Sequence, residues 1–394
     1  MAKFKDICTK IGSGATPKGG KEAYCDEGIS LIRSQNVLDF AFSADGLAYI
    51  NDSQAEKLKN VVVEAGDVLL NITGDSVARA CMVDNDYLPA RVNQHVCIIR
   101  ANPLMVVPSY LLYYLQMNKE YLLQLASGGA TRNALTKEMI SNLDIELPSL
   151  EEQRKMVALL DDIQKKIACN KAINENLEQQ AQAYFQELFL NNASPEWTVG
   201  TIADIGTVVG GGTPSKSKPE YYTENGIPWI TPKDLSVNKS KFISHGENDI
   251  SELGLKNSSA TMMPEGTVLF SSRAPIGYIA IAANDVSTNQ GFKSVIPKAG
   301  IGTAFIYYFL KHNLPVIEGM ASGSTFKEVS GGTMKNIPAV IPDTASLRQF
   351  NDFCKPIFAQ QRILEEQNQS LTALRDGLLP RLMSGEIDLS EIQF

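Results

Sequence analysis

Long apolar runs are absent. Nothing in the 394 residues approaches the ~20 consecutive apolar positions of a membrane span, and the opening MAKFKDIC has no apolar h-region. The expectation is a soluble, cytoplasmic chain that meets no membrane. Cysteine is scarce as well: six residues (Cys8, Cys25, Cys81, Cys97, Cys169 and Cys354), no CxxC, and no close pairing with the three histidines. That pattern argues against zinc and for a reduced compartment. His95, His245 and His312 stand alone, with no second ligand type at metal spacing, so they read as structural and no metal site is expected. Basic excess is also missing. The net charge is −8 and no long segment is net positive, whereas nucleic-acid binders usually carry a basic footprint. Catalytic motifs are lacking too. There is no HExxH, no GxSxG, no clustered-carboxylate endonuclease motif and no Asn/Asp-Pro-Pro-aromatic run, since Asn102 is followed by Pro103 and Leu104. The glycine-rich stretch from Gly14 to Lys21 falls one residue out of phosphate-loop register: Ala15 takes the first glycine position, and Glu22 follows Lys21 where Ser or Thr is needed. No catalytic residue is expected in this chain.

What the chain does have is order on two scales. The first is a proline-free stretch from Ser149 to Asn191. Alternate steps of four and three from Met156 meet Leu160, Ile163, Ile167, Asn170, Asn174, Leu177, Ala181, Tyr184 and Leu188, a heptad seam interrupted only by two asparagines. Pro148 lies just outside it, and Ser149 with Glu152 spells a capping box. A helix of about 40 residues would be about 60 Å long, and such a seam needs a partner. The same stepping from Phe350 meets Cys354, Ile357, Gln361, Leu364, Asn368, Leu371, Arg375, Leu378 and Leu382. Two long helices packed antiparallel are the expectation. Pro356 predicts a kink or late start in the second helix, and Ser384 with Gly385 predicts its end. Asn174 and Asn368 correspond, and they are expected to meet and fix the helix register.

The larger scale is an internal repeat of roughly 195 positions. GSGATP at 12–17 matches GGGTP at 210–214, and GISLIRSQNV at 28–37 matches GIPWITPKDL at 226–235. GDVLL at 66–70 matches GTVLF at 266–270, Asn93-Gln94 matches Asn289-Gln290, SGGAT at 127–131 matches SGST at 322–325, and a long helix follows each half. The fold expected is α/β of the mixed α+β kind. It has two similar tandem globular domains (1–148 and 192–345), each followed by a long helix (149–191 and 346–385), with a tail at 386–394 and a pseudo-two-fold relating the halves. Val61–Val63, Val68–Leu70 and Val96–Ile99 read as strands, and Ser109–Leu125 and Thr303–Lys311 as amphipathic helices. The frames match while the polar loop tips differ, which suggests two related but distinct recognition tasks.

Taken in order, the paired GxGxTP openings, the paired strands, the Asn-Gln pairs, the SGxxT loops, the LxxLP exit from Leu143 to Pro148 and the closing LLPRLMSGEI at 378–387 resemble one family along essentially the whole chain. It is that of the specificity (S, or HsdS) subunits of type I restriction–modification systems. The resemblance implies two target recognition domains, each reading one half of a bipartite double-stranded DNA target, and a helix pair that sets the spacer and docks two methyltransferase (M) subunits. Restriction (R) subunits would then join. It also implies that this chain holds no cofactor. S-adenosylmethionine would bind the methyltransferase partner, and ATP and Mg the restriction partner.

If the chain reads DNA, polar residues in the matched turns are the candidates, because Arg and Lys address guanine, Asn and Gln adenine, and Ser or Thr either bases or phosphate. In the first half these are Thr16, Lys18, Lys21, Arg33, Gln35, Asn36, Arg79, Arg91, Asn93, Gln94, Arg132 and Asn133. In the second they are Thr213, Lys216, Lys218, Lys233, Asp234, Arg273, Asn289, Gln290, Lys293, Thr325 and Lys327. Residues that differ between the halves suit base reading; shared ones suit backbone contact or scaffold. The acidic balance predicts weak, salt-sensitive DNA binding by the chain alone. Two other readings fit the same residues: a structural adaptor that never meets DNA, and a specificity subunit of a related system with a fused restriction–methylation partner.

Overall fold

The computed structural model describes residues 1–128, 133–323 and 327–387, apart from the side chain of Lys21. The chain forms two compact units. One comprises Met1–Ala168 with the chain from Ser370 onward, the other Cys169–Gln369. Each long helix thus contributes residues to both.

In the first unit, a four-stranded antiparallel sheet runs in the order Cys8–Ser13, Val96–Ala101, Val68–Asn71, Ala80–Met82. A second sheet runs Ala48–Ile50, Ile29–Ile32, Ala90–Val92, Val62–Val63, with the middle pair parallel. The reason for two layers is visible in one strand. Val68, Leu69 and Leu70 are all fully buried, and successive side chains of a strand point to opposite faces. Val68 and Leu70 join the core that includes Met156, Leu160, Leu379 and Leu382 of the long helices, while Leu69 joins the core of the second sheet. A continuous apolar run is what a strand covered on both faces requires.

The second unit repeats the plan. Its larger sheet runs Gly206–Gly210, Lys293–Pro297, Val268–Ser272, Ile276–Ala282, Phe242–Ile243, and its smaller one Tyr222–Thr223, Asn248–Ile250, Ile227–Ile230, Ser287–Thr288. Val268 and Phe270 face the core that includes Phe185, Phe350 and Ile357, and Leu269 faces the other. The three strands expected in the first half are found at Val62–Val63, Val68–Asn71 and Val96–Ala101. The helix expected over 109–125 is instead two, Pro108–Met117 and Lys119–Ser127. Asn118 divides them: its side chain donates to the Tyr114 carbonyl at 2.9 Å, and its backbone leaves helical geometry (ψ 18°). Asn313 makes the same bond to Phe309 in the second unit.

The first long helix, Leu150–Gln186, continues as a wider turn through Asn191. Its capping box is present: Ser149 N–H donates to Glu152 Oε2 at 2.8 Å, and Glu152 N–H to Ser149 Oγ at 3.2 Å. The second helix, Thr344–Met383, neither starts late nor breaks at Pro356. Asp343 supplies the start, accepting from Ala345 and Ser346 N–H at 2.9 Å each. Burial of Leu347, Phe350, Cys354 and Ile357, worth about 1.5–3 kcal/mol for each large apolar side chain, offsets the bond that Pro356 removes. The helix stops as expected, with Gly385 at φ +73°.

Within the second unit the helices run antiparallel, but the asparagines pair differently from expectation. Asn368 Oδ1 accepts from Asn170 Nδ2 at 3.0 Å, while Gln361 Nε2 donates to the Asn174 carbonyl at 3.2 Å. The partners are shifted by one helical turn, an offset that a seam of evenly spaced positions leaves undetermined.

Candidate nucleic-acid interface

Both glycine-rich openings exist because two pieces of backbone come too close for a side chain. A Cβ at Gly14 would lie 1.7 Å from the Val92 carbonyl oxygen, and one at Gly211 would lie 2.0 Å from that of Asn289. The glycine loop therefore presses on the Asn-Gln turn, tied by Gly14 N–H to Asn93 O at 3.1 Å in one unit and by Gly212 N–H to Thr288 O at 2.9 Å in the other. That approach seats a threonine on a glutamine. Thr16 Oγ1 donates to Gln94 Oε1, and Thr213 Oγ1 to Gln290 Oε1. Both glutamines are exposed.

Several candidates turn inward and hold these loops. Asn93 Oδ1 accepts from His95 N–H at 3.0 Å and Asn289 Oδ1 from Gly291 N–H at 2.8 Å, matching side-chain turns in the two units. Asn36 is fully buried; it accepts from Arg33 N–H at 3.0 Å and donates to the Ser43 carbonyl at 2.9 Å. Asp234 caps its turn by accepting from Thr231 N–H at 2.7 Å and also takes Glu247 N–H at 2.9 Å. Arg91 spends its guanidinium on the Ala55 and Ala90 carbonyls at 3.2 and 3.0 Å, and burial pulls it below its ordinary pKa. Arg33 donates to the Gly46 carbonyl.

Other candidates meet at an open cleft of about 740 Å³ in the first unit, where Gln35, Arg79 and Asn133 converge with Thr73, Asp75 and His95. Gln35 is anchored by its amide to the Asp45 and Gly46 carbonyls, 3.2 Å each. From sequence His95 reads as structural, and Thr73 belongs to none of the matched motifs. Their signal was positional: His95 follows the Asn-Gln pair, where the second half has Gly291.

The second unit spreads its cations instead. Arg273 and Lys293 both reach Glu328, at 3.5 Å each. Lys233 pairs with Glu247 at 2.6 Å, a bond that raises its pKa, and stays exposed. Lys218 lies 5.2 Å from the Tyr221 ring centroid, and Lys216 and Lys327 are exposed, as is Lys18 in the first unit. Arg132, Thr325 and the Lys21 side chain lie outside the described residues. Among the described residues no group of three or more His, Cys, Asp or Glu is arranged to hold a metal, and no helix is long and apolar enough to cross a membrane. The arrangement offers hydrogen-bonding and cationic side chains on rigid turns.

The model of the type I restriction modification DNA specificity domain matches this chain twice, over residues 1–179 and 195–373. A type I restriction enzyme MjaIX specificity subunit from Methanocaldococcus jannaschii is 40% identical over 191 residues, spanning 46% of this chain and 44% of that relative. The HindI specificity subunit of Haemophilus influenzae is 24% identical over 91% of this chain and 94% of its own. The crystal structure of a type I S subunit from M. genitalium shares the fold with a TM-score of 0.61 at 15% identity, covering 97% of this chain and 95% of that one.

Proposed function

The chain belongs to the type I restriction modification DNA specificity domain family, whose domain it carries twice, and from that membership we propose that its two units read the two unlike halves of a bipartite double-stranded DNA target. One observation carries this: a shared scaffold with different tips. The glycine loop, the inward asparagine and the Thr-Gln pair recur in both units. Around them His95 gives way to Gly291, Thr73 to Arg273, and Gln35 to Lys233. Two copies of one recognition task would keep such residues alike.

In this reading the tips approach base edges, where Arg, Gln and Asn discriminate by paired donors and acceptors. The exposed lysines take phosphate, which fixes position without reading sequence. The acidic net charge leaves the backbone grip to partners around the duplex. Those partners are methyltransferase subunits, two of them, docked on the helix pair, with restriction subunits joining afterwards. The helix pair sets the spacer between half-sites. The chemistry and its cofactors, S-adenosylmethionine for methylation and ATP with Mg for restriction, belong to the partners, and this chain is non-catalytic. It works in the cytoplasm, where the DNA is.

The test is to co-express the chain with the methyltransferase encoded beside it and to map methylated adenines in the host genome. Methylation confined to one bipartite motif, and lost when this chain is omitted, is the expected result. Exchange of residues 1–148 should change one half of that motif only. A stable complex with no chain-dependent methylation would replace this reading with that of an adaptor.

A further inference from the structure

A side-chain amide reads a base only if its donor and acceptor sides are fixed, since the two ends are nearly the same shape and opposite in polarity. In the first unit the Gln94 amide is held at both ends. Its carbonyl accepts from Thr16 Oγ1, and its nitrogen lies 3.0 Å from His95 Nε2. The other ring nitrogen, Nδ1, lies 2.5 Å from Thr73 Oγ1. With the Gln94 carbonyl on Thr16, the bonds run one way: Thr16 donates to Gln94, Gln94 donates to Nε2, and Nδ1–H donates to Thr73. The second unit keeps the Thr213–Gln290 bond but has Gly291 where the ring would be.

We propose that His95 is a positioning residue for base reading: braced by Thr73, the ring holds the nitrogen end of the Gln94 amide in the first recognition unit and so sets that unit's preference at one base pair. This rests on the DNA-reading function above. Among the described residues, the charged groups lining the cleft with the ring are Asp75 and Arg79.

The experiment uses the full chain assembled with its methyltransferase partners and measures competition binding to a panel of targets altered one base pair at a time in both half-sites. His95→Ala should erode discrimination roughly tenfold at one base pair of the half-site assigned to residues 1–148, the scale of one bidentate base contact, and leave the other half-site unchanged. His95→Gln, which can accept from Gln94 and donate to Thr73, should restore that discrimination, a rescue that a merely structural role for the ring would not give. Unchanged discrimination in His95→Ala, or an equal loss at both half-sites, overturns the proposal. A complex with no base preference at either half-site removes the DNA-reading function itself, a result distinct from both.

Discussion

Each unit joins its globular part to the long helices through a cation on an aromatic ring and a tyrosine on a carboxylate, but the parts are exchanged. In the first unit the cation comes from the helix: the Arg375 guanidinium stacks 3.9 Å over the ring of Phe40 and donates to Gln164 at 2.9 Å. In the second the cation comes from the domain. Lys241 lies 4.3 Å from the ring centroid of Phe358, on the helix, and donates to Gln361 at 2.7 Å. Tyr113 donates to Asp161 and Tyr308 to Glu178, both at 2.8 Å. The decisive difference is where the charges lie. Arg375 pairs with its half-exposed neighbour Asp376, whereas Lys241 pairs with Glu178 and both are largely buried. The first joint is therefore mainly stacking and hydrogen bonding; the second is a desolvated ion pair, of little net worth as a pair and costly to halve.

The largest effect should come from halving it. Lys241→Met removes the cation and leaves Glu178 buried beside Lys311 alone, at a cost of about 3–5 kcal/mol. Arg375→Met in the first unit removes the guanidinium from Phe40 and leaves only the exposed Asp376 without its partner, so it should cost about 1–2 kcal/mol. With two units in one chain, a single midpoint is not meaningful, so amide hydrogen exchange should be followed unit by unit. Equal loss of protection in the two variants would break the comparison.

Acid should separate the joints next. Burial lowers the Lys241 ammonium and works to raise the Glu178 carboxyl, but Lys241 and Lys311 outweigh it and bring Glu178 from 4.5 to about 2. A depressed carboxyl stabilises the fold above its unfolded value, and that stability, about 3 kcal/mol, is lost as pH falls from 4.5 toward 2. Asp161 goes the other way: burial raises it, against bonds from Tyr113 and Ser109. Its ionised form is penalised in the fold, so acidification relieves that penalty. The second unit should lose protection first as the pH is lowered. Loss from the first unit ahead of the second would show that Glu178 is not held by its cations.

These joints also mark the boundary of what the chain announced. The repeat, the strands at Val68–Asn71 and Val96–Ala101 and both long helices were legible because they rest on hydrophobic period and capping, which are local. Asp343 was legible too, had the residue after Pro342 been read as a cap. Lys241 was not: in its polar run beside Ser240 it has the look of a solvated loop lysine, and only tertiary contact buries it. Site residues divided similarly. Asn36, Asn93, Asp234 and Asn289 lie in matched polar turns, and their side chains close those turns. A lone histidine carries no metal signal, and although Gln94 is the neighbour of His95 in the chain, Thr73 reaches the ring from the end of the paired strand Val68–Asn71.

A smaller effect separates the seams. In the second unit Asn170 and Asn368 meet in a fully or partly buried layer, and Asn170 Oδ1 is buried with no hydrogen-bond partner. Replacing both with leucine should raise the stability of that unit by about 1 kcal/mol, because a polar seam layer costs stability in exchange for register. The exchange should show in the spacer. Methylation by the variant complex should accept more than one spacer length, while the unmodified complex accepts one. A variant more stable yet still confined to one spacer would mean that apolar packing alone sets register.

The smallest effect lies at the recognition tips. Arg33 is committed to a backbone carbonyl in the first unit, whereas the Lys233–Glu247 pair in the second stands in solvent. Exposed pairs contribute little, so Lys233→Ala should change stability by no more than ~0.5 kcal/mol. Its consequence should appear in salt dependence instead. If Lys233 neutralises one phosphate, the slope of log affinity against log salt should become shallower by about 1 for the assembled complex, with base preferences unchanged. Arg33→Ala, by contrast, should loosen the Gly46 loop and alter base preference in the first half-site with little change in slope. An unchanged slope in Lys233→Ala would assign that lysine to the scaffold, and the contrast between a braced tip and a free one would then rest on Arg273 and Lys293, which share Glu328 and would be expected to release it only when a phosphate takes its place.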